Sequence, residues 1–96
     1  MPRKNKEETR VGFRQLVEEA VRQIPKGQTR SYKEVATMVG CPKGARAVAR
    51  IMANNYDLSV PCHRVIKSDG RLGGYNRGGE RKKREILLAE GWVPGN

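Results

Sequence analysis

The sequence predicts a mainly α-helical fold: a small single domain of helices with a helix-turn-helix and one short extended segment that carries the candidate active site. Three observations predict this class. The chain has 96 residues, enough for one modest hydrophobic core. Apolar residues recur at helical spacing in several separate stretches. β-Branched residues flank a proline and a cysteine within Val60–Ile66, as in a short buried strand.

The ends of the chain are expected to lie outside this domain. Residues 1–10 contain four basic side chains and predict a flexible N-terminal arm. We expect residues 11–92 to form the domain and residues 93–96 to form a C-terminal tail.

The charge of the chain is strongly positive. Lys and Arg number 20 against 10 Asp and Glu, which gives a formal net charge of +10. Such an excess favours a polyanionic partner, nucleic acid first and a membrane surface second, although a protein that is merely basic has the same composition. No apolar stretch approaches the roughly 20 residues needed to cross a bilayer, and the N-terminus lacks the apolar core of a secretory signal. We expect no membrane association, and a cytoplasmic, nucleoid-associated or nuclear location that keeps thiols reduced.

The first predicted helix runs from about Thr9 to Ile24, where apolar residues follow the i, i+3, i+4, i+7 spacing of a one-sided helix. Pro25 and Gly27 predict its end. The residues of the apolar stripe are Phe13, Leu16, Val17, Ala20, Val21 and Ile24.

Ser31 and Glu34 have the spacing of a capping box, in which each side chain bonds the other residue's backbone N–H. A short helix is therefore predicted to run to Val39 and to stop at Gly40. Its inner face is expected to carry Val35, Met38 and Val39.

A further helix is predicted from Pro42 or Lys43 to about Met52. Its inner face carries small and apolar residues, and its outer face carries basic ones. Two short helices joined by a glycine-containing turn form a helix-turn-helix pattern, as in DNA-binding domains. An ordinary helical hairpin with a solvated basic face fits the pattern about equally well, and the net charge favours DNA. The inner residues are Ala45, Val48, Ala49 and Met52, and the outer ones are Lys43, Arg46 and Arg50.

Beyond this pair, Leu58–Ile66 is predicted to be extended. Leu72–Gly79 follows as a glycine-rich loop whose backbone can closely approach a flat ligand or a phosphate. The last helix is predicted from about Glu80 to Glu90, with Ile86, Leu87 and Leu88 facing the core.

The candidate chemistry lies at Cys62, which the only histidine, His63, follows directly. A thiol becomes a strong nucleophile when neighbouring groups lower its pKa, and imidazole and arginine are the usual neighbours. A buried structural cysteine beside a hydrogen-bonding histidine is the plainer interpretation. Cys41 stands too far from Cys62, without paired-ligand spacing, to predict a zinc site or a disulfide framework.

Together these motifs resemble the C-terminal domain of the O6-alkylguanine-DNA alkyltransferases, the methylated-DNA–protein-cysteine methyltransferases. The likeness extends from about Phe13 to Gly91, and it implies a winged-helix-like arrangement. On this resemblance, we expect the family's usual N-terminal domain to be reduced here to a basic arm and one helix. The matching runs are Ser31-Tyr32, Pro42-Lys43-Gly44-Ala45-Arg46-Ala47-Val48, Pro61-Cys62-His63-Arg64-Val65-Ile66, Gly73-Gly74-Tyr75, Lys83, Leu87-Leu88 and Glu90.

The resemblance implies a suicide DNA repair protein. Such a protein binds double-stranded DNA through the minor groove, flips O6-alkylguanine out of the stack and takes the alkyl group irreversibly onto its own cysteine in a single turnover. It needs no cofactor and no metal. We expect a monomer, and cooperative binding along DNA stays open.

The resemblance also assigns catalytic roles. Cys62 matches the alkyl acceptor, His63 the base that acts through water, and Glu90 the carboxylate that orients the imidazole. Tyr32 matches the tyrosine that donates to the flipped guanine, although a core aromatic is reasonable there. The family's hinge asparagine matches Asn55 if spacing from the recognition helix fixes the register, and its neighbour, residue 54, if distance to the cysteine does. We prefer Asn55.

For DNA contacts, Arg46 matches the finger arginine that occupies the space left by the flipped base; an ordinary phosphate contact is the alternative. Tyr75 and Asn76 match the loop that closes over the base, where Tyr75 could instead be plain packing. Arg77 is one residue more than the family pattern holds and is a candidate phosphate contact. The other residues expected to contact DNA are Lys43, Ala45, Ala47, Arg50 and Arg64.

Two other functions are consistent with parts of the sequence. An alkyltransferase-like lesion sensor would bind O6-alkylguanine DNA without transfer and recruit another repair pathway, but such proteins typically lack the acceptor cysteine that Cys62 supplies. A helix-turn-helix transcription regulator would leave Pro61-Cys62-His63-Arg64 and Glu90 unexplained.

Overall fold

The computed structural model describes residues 6–94 of the chain, with side chains from residue 12 onward. Within these residues the fold is mainly helical, as predicted, with a short two-stranded sheet. Residues 1–5 of the expected arm and residues 95–96 of the expected tail lie outside the described part. The elements in chain order are α1 (Lys6–Arg22), β1 (Arg30–Ser31), α2 (Tyr32–Met38), α3 (Ala45–Ala53), a 3₁₀ turn (Cys62–Arg64), β2 (Val65–Ile66) and α4 (Gly79–Ala89).

The first helix begins earlier than expected, at Lys6, so that it includes part of the segment predicted to be a flexible arm. Val17 and Val21 form its buried stripe, and Ile24 is buried just beyond its end. Leu16 is more than half exposed, contrary to prediction. It lies about 100° around the helix from Val17 and therefore points away from the core. None of the helices in residues 6–94 is long and apolar enough to cross a membrane.

The predicted capping box at the start of α2 is confirmed. Ser31 Oγ accepts a hydrogen bond from the backbone N–H of Glu34 at 2.9 Å, and Glu34 Oε1 accepts one from the backbone N–H of Ser31 at 2.7 Å. Val35 and Ala36 are fully buried, whereas Met38, which was expected to face the core, is half exposed. The two buried residues lie in the middle of the helix, and α1 and α3 both pack against α2.

The second helix of the pair, α3, begins at Ala45 rather than at residue 42 or 43. The preceding residues form a turn that is closed by a hydrogen bond from the N–H of Gly44 to the carbonyl of Cys41 at 2.8 Å. Lys43 therefore lies in the turn before the helix. Val48 and Met52 are buried as predicted, and the packing of α2 against α3 gives the expected helix-turn-helix.

The active-site segment is less extended than expected. Only Val65–Ile66 is a strand, and Cys62–Arg64 forms a 3₁₀ turn. The turn forms because the N–H of Arg64 reaches the carbonyl of Pro61 at 2.9 Å. The strand pairs in parallel with β1, with Arg30 opposite Val65 and Ser31 opposite Ile66. This unpredicted strand pair joins the start of α2 to the chain that follows Cys62.

The last helix has a narrower buried stripe than the sequence indicated. Leu87 is fully buried, Ile86 is half-buried and Leu88 is half exposed, which corrects its expected place in the core. Gly27, in the loop after α1, lies against the end of this helix. Its φ is +86°, and a Cβ added there would lie 3.0 Å from the carbonyl oxygen of Glu90. Glycine therefore permits the close approach of the two segments.

Two clusters form the core. The larger lies between α1, α2, α3 and the active-site segment. The smaller lies under α4. The members of the first are Val17, Val21, Ile24, Val35, Ala36, Val48, Met52, Val60, Cys62 and Val65, and those of the second are Ile66, Leu72, Leu87 and Trp92.

Candidate functional site

A cavity of about 420 Å³ lies between α2, α3 and the glycine-rich loop, and Cys62 forms part of its wall. This volume is within the range of sites that hold a small organic ligand. The wall is mainly apolar and includes two tyrosine rings, as expected for a site that holds a flat aromatic group. The lining residues are Tyr32, Ala49, Met52, Ala53, Cys62, Lys67, Gly73, Gly74, Tyr75 and Asn76.

The candidate nucleophile, Cys62, is only 4% exposed and is a free thiol. Burial raises the pKa of this thiol above its ordinary value, and the positive charges of Arg77 and Lys83 offset only part of that effect. The expectation of a lowered thiol pKa is therefore wrong for the free protein. At neutral pH the sulfur is protonated until a further group accepts its proton.

A group able to accept that proton is the imidazole of the next residue, His63, which shares the carboxylate of Glu90 with Arg64. His63 Nε2 lies 3.0 Å from Glu90 Oε2. Arg64 Nε donates to Glu90 Oε1 at 3.0 Å, and Arg64 Nη2 donates to Oε2 at 2.7 Å. Burial raises the pKa of Glu90, but the hydrogen bonds from Arg64 and His63 lower it by more, so the carboxylate is ionised at neutral pH.

Burial and the hydrogen bond to Glu90 together fix the protonation state and the tautomer of the His63 imidazole. Burial lowers the pKa of His63, although the hydrogen bond and charge of Glu90 act in the opposite direction, and the ring is neutral at pH 7. Because an ionised carboxylate accepts a hydrogen bond, the single proton of the ring resides on Nε2 and Nδ1 remains a free acceptor. His63 bonds Glu90 in the described structure rather than the sulfur of Cys62.

Arg64 was expected to contact DNA, and the structure corrects this. All three of its guanidinium nitrogens are engaged inside the protein, two with Glu90 and the third with the carbonyl oxygen of Ile24 at 2.9 Å. The side chain thus links the end of α1, the 3₁₀ turn and the end of α4. Its function in this structure is to hold the carboxylate.

Tyr32 lies at the opposite side of the cavity, at the start of α2. Burial, and secondarily the charge of Cys62, raise the pKa of its hydroxyl above the ordinary value, so the group keeps its proton. A Cβ on Gly73 would lie 3.7 Å from this hydroxyl oxygen, which places the glycine-rich loop directly beside it. A protonated phenol in the cavity wall can donate a hydrogen bond to a ligand.

The structure distinguishes the two candidate hinge asparagines. Asn55 is 3% exposed, and its Oδ1 accepts from the N–H of Asp57 at 2.9 Å. Its backbone carbonyl accepts from Asn76 Nδ2 at 2.7 Å and from Arg77 Nη2 at 3.4 Å. Asn54 is exposed and bonds only back into α3. Asn55 is thus the residue that lies at the junction of α3, the loop and the site.

The remaining residues of the glycine-rich loop are partly engaged within the protein. Asn76 Nδ2 also donates to the carbonyl of Ala53 at 3.0 Å, so this side chain ties the loop to the end of α3. Arg77 is half-buried and donates to Asn55, rather than extending into solvent. Tyr75 lines the cavity and meets the ring of His63 edge to face, with 6.4 Å between centroids.

The outer face of α3 carries the residues predicted to contact DNA. Arg46, Ala47 and Arg50 are exposed, and Ala45 is half-buried at the helix start. Lys43 is exposed in the turn before it. The same helix contributes Met52 and Ala49 to the cavity, so a single element connects the basic surface with the candidate site.

Sequence reasoning assigned no role of its own to Lys83, although this side chain is fully buried beside the cavity. Its Nζ donates to the carbonyl oxygens of Leu72 at 2.6 Å and Gly74 at 3.3 Å. The available signal was its position four residues before Leu87, which places it on the buried stripe of α4.

Comparisons with known proteins identify the family of the chain. Residues 12–92 match the family model described as 6-O-methylguanine DNA methyltransferase, DNA binding domain. The bifunctional transcriptional activator/DNA repair enzyme Ada of Escherichia coli is 48% identical over 81 residues, which cover 83% of this chain and 23% of Ada. The chain spans half or less of the length of the curated relatives it matches.

Two solved structures are also similar. The crystal structure of Mycobacterium tuberculosis OGT in complex with DNA has a TM-score of 0.76 and 43% identity, and the match covers 92% of this chain and 50% of that one. The structure of S. pombe Atl1 in complex with damaged DNA containing O6-carboxymethylguanine has a TM-score of 0.76 and 35% identity, with 84% and 77% of the two chains covered.

Proposed function

The chain belongs to the 6-O-methylguanine DNA methyltransferase family, through that family's DNA-binding domain, and from this membership we propose that it is a DNA repair protein that removes alkyl groups from O6-alkylguanine. It binds double-stranded DNA through the minor groove, turns the damaged base into the cavity and transfers the alkyl group irreversibly to Cys62. The reaction is stoichiometric because the thioether formed is not reversed.

The observation that carries the proposal is the position of a free thiol in the wall of a ligand-sized cavity, in a residue that is followed directly by a histidine hydrogen-bonded to a carboxylate. Cys62 lines the cavity, and His63, the next residue, is bonded to Glu90 at 3.0 Å. A purely structural cysteine has no need of an oriented neutral imidazole and an ionised carboxylate at its side.

In the proposed reaction the sulfur of Cys62 attacks the alkyl carbon as its proton passes, through water, to Nδ1 of His63. A sulfur–carbon bond forms, the bond between that carbon and O6 breaks, and the electron pair stays on the guanine. The guanine takes up a proton from the hydroxyl of Tyr32, and the proton received by His63 then passes to the Tyr32 oxygen, so that both side chains regain their starting forms. Glu90 stabilises the imidazolium while it exists.

Binding to DNA rests on the basic outer face of α3. Extrusion of a base costs on the order of a few kcal/mol, which contacts in the cavity and in the vacated stack must offset. Arg46 is exposed on the same helix that lines the cavity through Ala49 and Met52, and this supports the proposal that it occupies the stack when the base turns inward.

A second candidate function is lesion sensing without transfer. One observation favours it: the structure of Atl1 in complex with damaged DNA is similar to this one, with a TM-score of 0.76 at 35% identity. Against it stands the reactive residue itself, because the sensors typically lack the acceptor cysteine that this chain has at position 62. We therefore rank transfer first.

Intact-mass spectrometry after incubation with an O6-methylguanine duplex tests the proposal. We expect the mass of the protein to rise by one methylene, mapped by peptide analysis to Cys62. Cys41→Ser removes the other, exposed cysteine and should leave the gain unchanged, whereas Cys62→Ser should abolish it. Tight binding of the lesion with no gain in mass would instead identify a sensor.

A further inference from the structure

Lys83 is a charged side chain in a place where charges are rarely found. It is 0% exposed, on the inner stripe of α4, in a chain whose other basic residues are mostly at the surface. A buried ammonium group is unfavourable unless it is paired or fully hydrogen-bonded. An apolar residue would suit this buried position, as Leu87 does one turn later.

The ammonium group contacts the rim of the cavity. Its two hydrogen bonds go to the carbonyl oxygens of Leu72 and Gly74, at 2.6 and 3.3 Å, at either side of Gly73. It also lies 5.7 Å from the centroid of the Tyr32 ring, within reach of a cation–π contact. Gly73, Gly74 and Tyr32 all line the cavity that contains Cys62. The charge is therefore directly beside the candidate site.

Charged groups from several segments affect the pKa of Lys83. Burial is the main reason that the pKa of Lys83 falls to about 8; negative charge on Cys62 or Glu80 acts against this fall, and Lys67 adds to it. The relation is mutual, because Arg77 and, to a smaller extent, Lys83 lower the pKa of Cys62. No other lysine with a described side chain is fully buried.

We propose that Lys83 is a positioning residue for the reaction of Cys62: its buried ammonium group holds the Leu72–Gly74 rim in place and supplies the positive charge that stabilises the thiolate during transfer. This inference rests on the proposed function for its biological meaning. The imidazole of His63 is neutral until it accepts the thiol proton, so it does not stabilise the thiolate in advance of that transfer. Lys83 is held at the site before DNA binds.

The two parts of this role can be separated by substitution. Lys83→Gln keeps a hydrogen-bond donor for the two carbonyl oxygens but removes the charge, and Lys83→Met removes both. Lys83→Arg keeps both in a larger group. Lys82→Met changes the neighbouring exposed lysine and serves as the matched control. Each variant is made with Cys41→Ser, so that Cys62 is the thiol that reacts.

The measurement is the rate of alkylation of Cys62 by iodoacetamide in free protein, followed from pH 6 to pH 10.5. We expect the rate at pH 7, where the ammonium group still holds its proton, to fall in Lys83→Gln and Lys83→Met, to be restored at least partly in Lys83→Arg and to stay unchanged in Lys82→Met. This rate should fall roughly tenfold for each unit by which the loss of the charge raises the thiol pKa. A wild-type rate at pH 7 in Lys83→Gln would overturn the proposal and leave Lys83 as a structural clamp.

If the neutral variants do not fold, as judged by circular dichroism, the wild-type profile decides. Because Lys83 loses its proton near pH 8, below the thiol, the rise of rate with pH should be shallower than that of a single ionisation. A simple one-proton curve would contradict the proposal. Since this assay uses no DNA, its result is independent of the methyl-transfer experiment, and either proposal can fail alone.

Discussion

Arg64 binds both oxygens of Glu90, with Nε 3.0 Å from Oε1 and Nη2 2.7 Å from Oε2. The two residues lie on the 3₁₀ turn and at the end of α4, and their side chains are 16% and 11% exposed. His63 shares the same carboxylate. The orientation of the imidazole therefore depends on an arginine that was expected to contact DNA.

Replacement of Arg64 by Met should destabilise the protein. The substitution leaves a largely buried carboxylate without its main partner, and we expect a loss of about 3 kcal/mol in the free energy of unfolding. Urea titration followed by circular dichroism measures it. The control is Arg71→Met, which breaks a 2.8 Å pair with Asp69 whose side chains are 76% and 49% exposed, and it should cost no more than about 0.5 kcal/mol. Equal losses in the two variants would contradict the structure.

Acid stability should depend on Glu90. Its pKa in the folded protein lies below the ordinary value, so the unfolded chain binds the proton more readily. The carboxylate thus contributes stability above roughly pH 4.5, and this contribution disappears as the pH falls through the lower, folded-state value. In Glu90→Gln we expect a flatter dependence of unfolding free energy on pH below pH 5. Glu85→Gln, on the exposed face of the same helix, should keep the wild-type slope.

The two adjacent asparagines should differ in their contribution to stability. Asn55→Ala removes a buried side chain that accepts from the N–H of Asp57, and we expect a loss of about 2 kcal/mol in unfolding free energy. Asn54→Ala removes an exposed bond to the carbonyl of Arg50 and should cost less than about 1 kcal/mol. Only Asn55→Ala should also slow methyl transfer. A larger effect at Asn54 would reverse our choice of hinge.

Arg46→Ala should impair both DNA binding and transfer. We expect roughly tenfold weaker binding of an O6-methylguanine duplex, measured by fluorescence anisotropy, and slower transfer even when the DNA is saturating. Arg14→Ala, on α1, alters an exposed arginine outside the proposed DNA-contacting surface and should change binding little. If Arg46 were an ordinary phosphate contact, its loss would lower the salt dependence of binding by about one unit and leave transfer at saturation unchanged.

The sequence predicted the helical elements well where local signals are strong. Ser31 and Glu34 form the capping box that their spacing indicated, and the apolar stripe of α3 places Val48 and Met52 in the core. The boundaries of α3 were less predictable, because Pro42 is compatible with the first turn of a helix but here belongs to the preceding turn. The two-residue strand Arg30–Ser31 has no strand signal of its own and forms only because Val65–Ile66 lies beside it.

Side-chain partners in the site could not be derived from local pattern. A sequence places Arg64 next to His63 but gives no indication that Glu90, far along the chain, neutralises it. The burial of Lys83 could not be predicted either, because a charged side chain is normally expected at the surface. Nor could the direction of the pKa shift of Cys62, since it depends on how deeply the sulfur is buried and on its distances to cations from other segments.

The contact between Gly27 and the carbonyl of Glu90 makes a remote turn part of the support for the thiol. A methyl group at this position would press on a backbone oxygen at 3.0 Å, and the positive φ would resist it independently. The end of α4 would shift, and the acid that orients the imidazole would shift with it. Anyone who chooses where to insert a reporter, or who interprets natural variants of this protein, should treat the turn after the first helix as intolerant of change rather than as a permissive loop.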